Sequence, residues 1–312
     1  MLTVVMPTHN GADTLSEALS AFCGIEPPPG GWKFVIVDNG STDSSRSIID
    51  AFKSRLPLTY VFEPVLGKST ALNTGIGHIS GDVVVFTDDD VLPKQDWLIQ
   101  MRAAADLHPE FSLFGGCIVP HWAAHPEDWI LKIDQTVLAI TGPTWNEGPI
   151  ASTLLFGPNM AVRTNVLEAG YRFDTSLGPA GSRYRMGEDS DFVQRLGHAG
   201  FKAWHCKGGV VAHMIRKDQM RKAWVLGRAL PSGHVSYRRE FKDSPTWPKL
   251  LLGMPRYMIR EILEQGIRVG RARLTQDPAT VFKERWRFRF LLGRAIEARD
   301  IYATAIRPEQ SK

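Results

Sequence analysis

The chain is poor in cysteine: Cys23, Cys117 and Cys206 are the only three among 312 residues. An odd number of widely separated thiols cannot all pair, so neither a disulfide framework nor a zinc knuckle is indicated, and the three read as inert core thiols. Long apolar runs are also lacking. None approaches the roughly 18 residues needed to span a bilayer, and Leu2-Thr3-Val4-Val5-Met6 begins with no basic flank or cleavage site. The expectation is a cytosolic protein without a membrane-spanning helix. No internal repeat or low-complexity segment is visible. Gly67-Lys68-Ser69-Thr70 superficially suggests a phosphate loop but lacks that motif's earlier glycine, which excludes a P-loop NTPase.

Against these absences stands an apolar content of 43%. That is enough for a proper core in a chain long enough for one large domain with an appendage, or for two modest domains. The net charge of +4 conceals an asymmetry. From Met214 onward 22 Lys and Arg face 10 Asp and Glu, a balance of +12, whereas the first 213 residues hold 15 against 23, or −8. An acidic front part suits a site that holds a cation; a basic tail suits phosphate, anionic lipid or nucleic acid.

Short β-branched runs alternate with helix-like stretches through the first hundred residues. Leu2 to Met6, Phe34 to Val37, Leu58 to Phe62 and Val83 to Phe86 read as strands. Leu15, Ala18, Leu19 and Phe22 follow helical spacing, as do Ile48, Ile49 and Phe52, and later Trp97, Leu98 and Met101. The alternation predicts an α/β fold on a parallel sheet, and the continuous apolar runs predict strands covered on both faces. Ligands of such sheets sit beyond the carboxyl ends of the strands. From about Glu110 to Gly170 the pattern turns irregular, rich in Gly, Pro and Trp, with Ala151 to Phe156 as a further expected strand; this reads as a binding region. Beyond Met214 the sequence is helical and basic, broken by Pro231, Pro245, Pro248, Pro255 and Pro278. A boundary near residue 214 divides the chain into 1–214 and 215–312.

Three acidic sites follow from this frame. Asp88, Asp89 and Asp90 end an apolar strand, and three carboxylates crowded at a sheet edge are costly without a cation. Their oxygens suit Mg²⁺ or Mn²⁺ bridging to phosphates, although an acidic helix cap is the plain alternative. Glu188, Asp189 and Asp191 open the helix of Phe192, Val193 and Leu196, where the dipole alone would stabilise them; beside a phosphate site, one is also what a hydroxyl acceptor needs as general base. Asp38, with Asn39-Gly40-Ser41-Thr42-Asp43, forms a strand-end loop able to accept hydrogen bonds from a nucleobase or ribose, or simply a turn. Lys68 near a helix start can meet a phosphate. His213 ends Val210-Val211-Ala212 and is either structural or a further metal or phosphate contact.

In order, the segments Val4-Val5-Met6-Pro7-Thr8-His9-Asn10, Val37 to Asp43, Gly67 to Gly75, Asp88 to Asp90, Gly157-Pro158-Asn159-Met160-Ala161-Val162-Arg163, Gly187 to Asp191 and His213 resemble the family 2 glycosyltransferases over residues 1 to 215. The resemblance implies a GT-A fold: a Rossmann-like, mostly parallel sheet flanked by helices, here with a basic helical C-terminal extension. It implies inverting transfer from a nucleotide diphosphate sugar, usually a uridine diphosphate sugar, to a hydroxyl of a glycan, lipid-linked or other acceptor. By that likeness Pro7, His9, Asn10, Asp38, Gly67, Lys68, Asn73, Asp88 and Asp89 would line the donor site. Asp88, Asp90 and His213 would hold Mn²⁺ or Mg²⁺, Asp189 would be the catalytic base, and Gly157, Asn159 and Glu188 would lie on the acceptor side. His9 stands where the family often has Tyr. The Gln-x-x-Arg-Trp motif of processive synthases is absent, which favours transfer of a single sugar.

Two other functions fit less well. A sugar-nucleotide pyrophosphorylase should open with a Gly-rich activating loop, which Pro7-Thr8-His9-Asn10 does not supply. A nucleic-acid-binding module should show stacking platforms or a recognition helix, and neither is evident, so no nucleic acid is expected. In the tail, Trp286-Arg287-Phe288-Arg289-Phe290-Leu291-Leu292 mixes bulky apolar groups with cations as an anionic membrane surface would require, giving a peripheral location. The alternative is a helix packed on the catalytic domain or on the second subunit of a homodimer.

Overall fold

The structure is a computed structural model and describes residues 1–180, 183–243, 248–275 and 278–306. It divides into two compact units, one of residues 1–123 and 138–215, the other of residues 124–137 together with the chain after 215. The first unit runs β1 (Leu2–Thr8), α1 (Ala12–Phe22), β2 (Trp32–Asp38), α2 (Ser45–Phe52), β3 (Leu58–Phe62), α3 (Lys68–Ile76), β4 (Val83–Phe86), β5 (Val91–Pro93), α4 (Trp97–Leu107) and β6 (Leu113–Trp122). Segment 124–137, with α5 (Asp128–Leu131), groups with the second unit. The first unit then resumes with β7 (Gly148–Ile150), β8 (Met160–Arg163), α6 (Thr164–Glu168), β9 (Gly178–Ala180), β10 (Arg183–Arg185), α7 (Glu188–His198) and β11 (Ala203–Ile215).

The main sheet has the order β3-β2-β1-β4-β8-β6-β11-β5, with β7 also on β11. β3, β2, β1 and β4 are mutually parallel, as are β6 and β11, while β8 joins the two groups antiparallel to β4 and β6. Successive side chains of a strand point to opposite faces. Leu2, Val4 and Met6 of β1, with Phe34 and Ile36 of β2, therefore pack on α1, α2 and α4 through Leu15, Leu19, Phe22, Ile49 and Trp97. Val5, Val35, Val37, Val84 and Phe86 face the other layer, with Ala71 and Leu72 of α3 and Phe192, Val193 and Leu196 of α7. Gly75 lets α3 press onto the sheet: a Cβ there would lie 2.6 Å from Val5 Cγ1. The edge strand β3 is only half covered.

Two sequence expectations fail here. Ala151 to Phe156 is not a strand; Ser152–Leu154 forms a 3₁₀ turn that packs on α7, where a Cβ on Gly197 would meet Ser152 Oγ at 2.2 Å. Nor is Glu110 to Gly170 wholly irregular, since it contains the ten-residue strand β6. Gly115 and Gly116 hid it. A Cβ on Gly115 would lie 2.3 Å from Leu155 Cδ2, and one on Gly116 would lie 1.9 Å from the Gly209 carbonyl.

The second unit is built on α8 (Lys222–Asp243), the hairpin β12 (Leu250–Leu251) and β13 (Met254–Pro255), α9 (Arg256–Thr275) and α10 (Pro278–Ile306). Pro231 does not break α8. An interior proline costs roughly 3 kcal/mol, and the packing of α8 on α10 offsets it. The two backbones meet where neither has a side chain: a Cβ on Gly233 would be 2.0 Å from the Phe290 carbonyl, and one on Gly293 would be 2.1 Å from that of Leu230. Beside the crossing, Tyr237 and Tyr302 share a hydroxyl hydrogen bond of 2.8 Å, and Glu297 accepts from His234 and Arg238. Pro278 starts α10 and Pro255 directly precedes α9, as helix-initiating prolines do. Pro245 lies outside the described residues. No helix among the described residues is long and apolar enough to cross a membrane.

Candidate active site

The carboxyl ends of β1, β2 and β4 bring the loops after Thr8, Asp38 and Phe86 to one edge of the sheet. Pro7 sits in β1 opposite Val37, past the last residue of β1 paired with β4, so its missing N–H leaves no ladder bond unmade on that side. Asp38 is 2% exposed, with one oxygen accepting from the Ser41 amide (2.9 Å) and the other from the Tyr60 hydroxyl (2.8 Å). Its carboxylate shapes the loop rather than facing solvent. Asn39 fastens the neighbouring loop, donating to the carbonyls of Glu63 and Val65 and accepting from the Gly67 amide. What is presented outward is His9 and Asn10. The His9 Nδ1 lies 2.7 Å from the Asn39 carbonyl, which can only accept; Nδ1 therefore carries the proton and Nε2 accepts from Asn10 Nδ2. Asn10 takes a left-handed conformation, φ +52°, and its Oδ1 accepts from the Thr42 amide.

The three adjacent aspartates take three different partners. Asp88 places its oxygens 2.8 and 3.0 Å from Lys68 Nζ. Asp89 accepts from Thr8 Oγ1 and lies against Gly11, where a Cβ would be 2.3 Å from its Oδ2. Burial, with Asp90 and Asp88 nearby, pushes Asp89 up to about 7 despite the Thr8 bond. Asp90 Oδ2 lies 3.3 Å from His213 Nε2, and His213 Nδ1 donates to the Leu138 carbonyl at 2.8 Å. Burial disfavours the charged imidazole, but Asp90 and the Leu138 carbonyl outweigh it and raise the His213 pKa above its ordinary value.

Lys68 is the centre of the acidic cluster. It opens α3 directly after Gly67, whose φ of +146° favours glycine. Besides Asp88, its ammonium lies 3.6 Å from Glu188 and 3.7 Å from Asp189, both in the first turn of α7. Burial opposes its charge, yet Asp189, Asp88 and Glu188 together hold the pKa well above the usual lysine value. Asp189 is pushed up to about 7, by burial first and then by Glu188 and Asp88, against the opposing pull of Lys68. Its carboxylate rests on the Cα of Gly157: a Cβ there would lie 2.1 Å from Oδ2 and 2.5 Å from Cγ.

The structure thus gathers Lys68, Asp88, Glu188 and Asp189 into one cluster and pairs Asp90 with His213. Two residues expected at the substrates are used elsewhere. Asn73 clamps the backbone of Phe173 with both ends of its amide, at 2.9 Å each. Asn159, 1% exposed, accepts from Trp97 Nε1 and donates to the carbonyls of Cys117 and Gly209. Both were expected from motif position, which fixes a residue's place in the chain but not where its side chain points. Sequence reasoning gave Thr8 and Gly11 no role and took Asn39 as part of a nucleoside-binding loop rather than as the clamp of its neighbour; the only signal for Gly11 was a glycine three residues after the end of a buried strand.

The set Asp88, Asp89, Asp90, Glu188 and Asp189 against Lys68 and His213 has the donor chemistry and excess negative charge that suit a hard divalent cation. The Leu138 carbonyl fixes the His213 tautomer in the way metal-bound imidazoles are fixed. Among the described residues, however, no three such side chains converge into a metal-binding group. Asp90 and His213 stand together, while Asp88 is turned to Lys68.

A mostly parallel sheet flanked by helices, with carboxylates after β4 and at the start of α7, has the GT-A arrangement. Residues 3–152, just under half of the chain, match the family described as Glycosyl transferase family 2, and with its glycosyltransferase relatives this makes the chain a glycosyltransferase. It is 25% identical over 236 residues to the succinoglycan biosynthesis protein ExoM of Rhizobium meliloti, covering 72% of this chain and 70% of that one. It is 24% identical over 292 residues to the glycosyltransferase AglE of Haloferax volcanii, covering 87% and 88%. Among solved structures, the fold is similar to the mannosyltransferase PcManGT from Pyrobaculum calidifontis in complex with GDP-Man and Mn²⁺, with a TM-score of 0.61, 20% identity, and coverage of 95% of this chain and 86% of that one. It is also similar to S. aureus TarS 1-349 in complex with UDP-GlcNAc, with a TM-score of 0.55, 15% identity, and coverage of 97% and 92%.

In the second unit, the aromatics expected at a membrane surface are used internally. Trp286 stacks on Phe290 at 5.4 Å and joins a cluster with Phe282, Val225 and Leu226, and Phe288 lies beside Gly266. Exposed apolar side chains of this unit include Leu263 (64%), Ile267 (57%) and Leu274 (83%) on α9, and Leu251 and Leu252 in the hairpin before it.

Proposed function

We propose that this glycosyltransferase is an inverting, metal-dependent, non-processive enzyme that moves one sugar from a nucleotide diphosphate, a uridine diphosphate sugar by preference, to a hydroxyl of a glycan or lipid-linked acceptor. The observation that carries the reading is Asp189, partly buried against Gly157 and joined through Lys68 to the aspartate loop that ends β4. A general base works best with a pKa near the working pH, and burial raises Asp189 to about 7. Asp189 takes the proton of the acceptor hydroxyl as that oxygen attacks the anomeric carbon on the face opposite the leaving diphosphate. His9, Asn10 and the loop held by Asp38 and Asn39 receive the nucleoside. Asp90 and His213, with Asp88 nearby, would hold Mn²⁺ or Mg²⁺, which when bound offsets the charge gathering on the diphosphate. The transfer also requires that water, which would otherwise intercept an oxocarbenium-like sugar, be kept from the site.

The test is a thermal-shift panel of nucleotide diphosphates, with and without Mn²⁺, on wild type and Asp90→Ala. Ligand binding to the folded state raises the midpoint by mass action. Stabilisation by one nucleotide that needs Mn²⁺ and is lost in Asp90→Ala is expected; no response to any nucleotide refutes the reading. NMR of the product against the donor anomer then decides inversion.

The second unit supports a peripheral contact with anionic lipid. Leu263, Ile267 and Leu274 share one side of α9 with the exposed Arg256 and Arg271, and with Arg260, which pairs with Glu264. The like charges disfavour pairing with a second copy of the same face and suit lipid phosphates. Flotation with phosphatidylglycerol vesicles, lost in Leu263→Glu/Ile267→Glu and weakened by salt, is the expected result; no flotation of wild type removes the proposal.

A further inference from the structure

Lys68 has more to do than neutralise a crowded corner. Its ammonium faces both oxygens of Asp88, at 2.8 and 3.0 Å, and stands within 4 Å of Glu188 and Asp189. Asp88, held by Lys68, is also near enough to the Asp90–His213 pair to favour the charged form of His213. A divalent cation held by Asp90 and His213 would therefore draw on the same Asp88 carboxylate as the fixed ammonium of Lys68. Two cations that share one carboxylate repel, strongly so in a partly desolvated site. A diphosphate entering between them brings the negative charge that both cations need.

Resting on the metal-dependent reading above, we infer that Lys68 is an internal counter-cation that competes for Asp88, so that the divalent ion binds tightly only together with the nucleotide diphosphate. The consequence is energetic coupling between metal and nucleotide. By linkage the coupling is reciprocal: the metal tightens the nucleotide by the same factor by which the nucleotide tightens the metal. The chain thereby reserves its cation for the donor complex, and Lys68 is a positioning residue acting through Asp88. The alternative, in which Lys68 only binds donor phosphate, predicts weaker nucleotide binding on its removal and no gain in affinity for the metal alone.

The experiment measures free Mn²⁺ by electron paramagnetic resonance during titration of the full-length protein, with Mn²⁺ alone and with Mn²⁺ plus UDP or GDP. Wild type is expected to bind Mn²⁺ weakly alone and much more tightly with the matching nucleotide. Lys68→Met should bind Mn²⁺ alone at least about tenfold more tightly, the change that one nearby opposing charge makes to a charged site, and should lose most of the coupling. Lys68→Arg keeps the charge and should retain wild-type behaviour. Circular dichroism checks folding, and Lys68→Gln replaces the methionine variant if that one does not fold. Equal affinity of wild type and Lys68→Met for Mn²⁺ alone, with nucleotide-dependent tightening preserved, overturns the role of Lys68 and leaves the metal-dependent reading standing. A tenfold gain in Lys68→Arg also overturns it, because charge would not be the cause. Absence of Mn²⁺ binding under every condition refutes the metal-dependent reading and this inference with it.

Discussion

Gly157→Ala is the most exacting test of the base assignment, because it adds one methyl group at a known place. The new Cβ would stand 2.1 Å from Asp189 Oδ2, 2.5 Å from Cγ and 2.8 Å from Oδ1. An ordinary carbon–oxygen contact is about 3.4 Å, so the carboxylate must withdraw by roughly 1 Å or more unless the backbone yields. The φ of Gly157 is not positive, so alanine meets no backbone penalty there. A displacement of about 1 Å in a catalytic group costs on the order of 10²-fold in rate, which is about 2.7 kcal/mol of barrier. Overpacking should lower stability by about 1–3 kcal/mol. The assay is release of nucleotide diphosphate from the donor identified by the thermal-shift panel, with donor affinity followed separately by calorimetry. A large fall in kcat with unchanged donor Kd is expected. A folded Gly157→Ala protein that turns over within threefold of wild type would refute the placement of the base.

Asp189→Asn should lower kcat by about 10²–10⁴-fold, the usual contribution of a general base, while calorimetric donor binding stays within about twofold of wild type. With Asp189 raised to about 7, the base is lost as pH falls, so kcat/KM should decline on the acid side of a limb at or below 7, lower still when Mn²⁺ is saturating. Asp89 supplies a stability test. Its folded pKa of about 7 lies above the ordinary 3.8, so the folded state binds the extra proton and stability declines between about pH 4 and 7, by at most 1.4 kcal/mol per unit for one group. Asp89→Asn should flatten that part of the urea-midpoint profile measured without metal. Asn159→Ala leaves Trp97 Nε1 and two buried carbonyls without their partner. It should cost about 2–4 kcal/mol in urea unfolding, the expected result for a side chain spent inside the core.

The front half of the fold was legible because β1, β2 and β4 are buried on both faces and so read as unbroken apolar runs ending in polar loops. The strands that complete the sheet were not. β6 carries Gly115-Gly116 and Pro120, and β11 shifts register between Cys206 and Val210 around Gly208-Gly209. Those glycines serve a contact distant in sequence: a Cβ on Gly116 would sit 2.4 Å from Asn159 Nδ2. A side chain inserted from a distant 3₁₀ turn leaves no local pattern, only missing Cβ atoms. Pro231 shows the converse. Local propensity argues for a break, and helix packing through Gly233 and Gly293 overrides it.

The candidate site divides in the same way. That carboxylates gather after β4 and before α7 could be read from the chain; which carboxylate serves which partner could not, because Lys68, Thr8 and His213 reach them from three other elements. The arrangement also explains how so many acidic groups coexist. Asp88 is matched by Lys68, and Glu188 and Asp189 begin α7, where the helix dipole favours negative charge. Asp89 and Asp189 are compensated only in part, each set against a glycine and each raised to about 7. Groups driven so far from their ordinary range destabilise the fold, and such departures concentrate where chemistry is done. One of the two lies in the loop proposed to meet the diphosphate and the other at the proposed base, so the residual electrostatic strain falls on the two proposed halves of the transfer rather than on the scaffold.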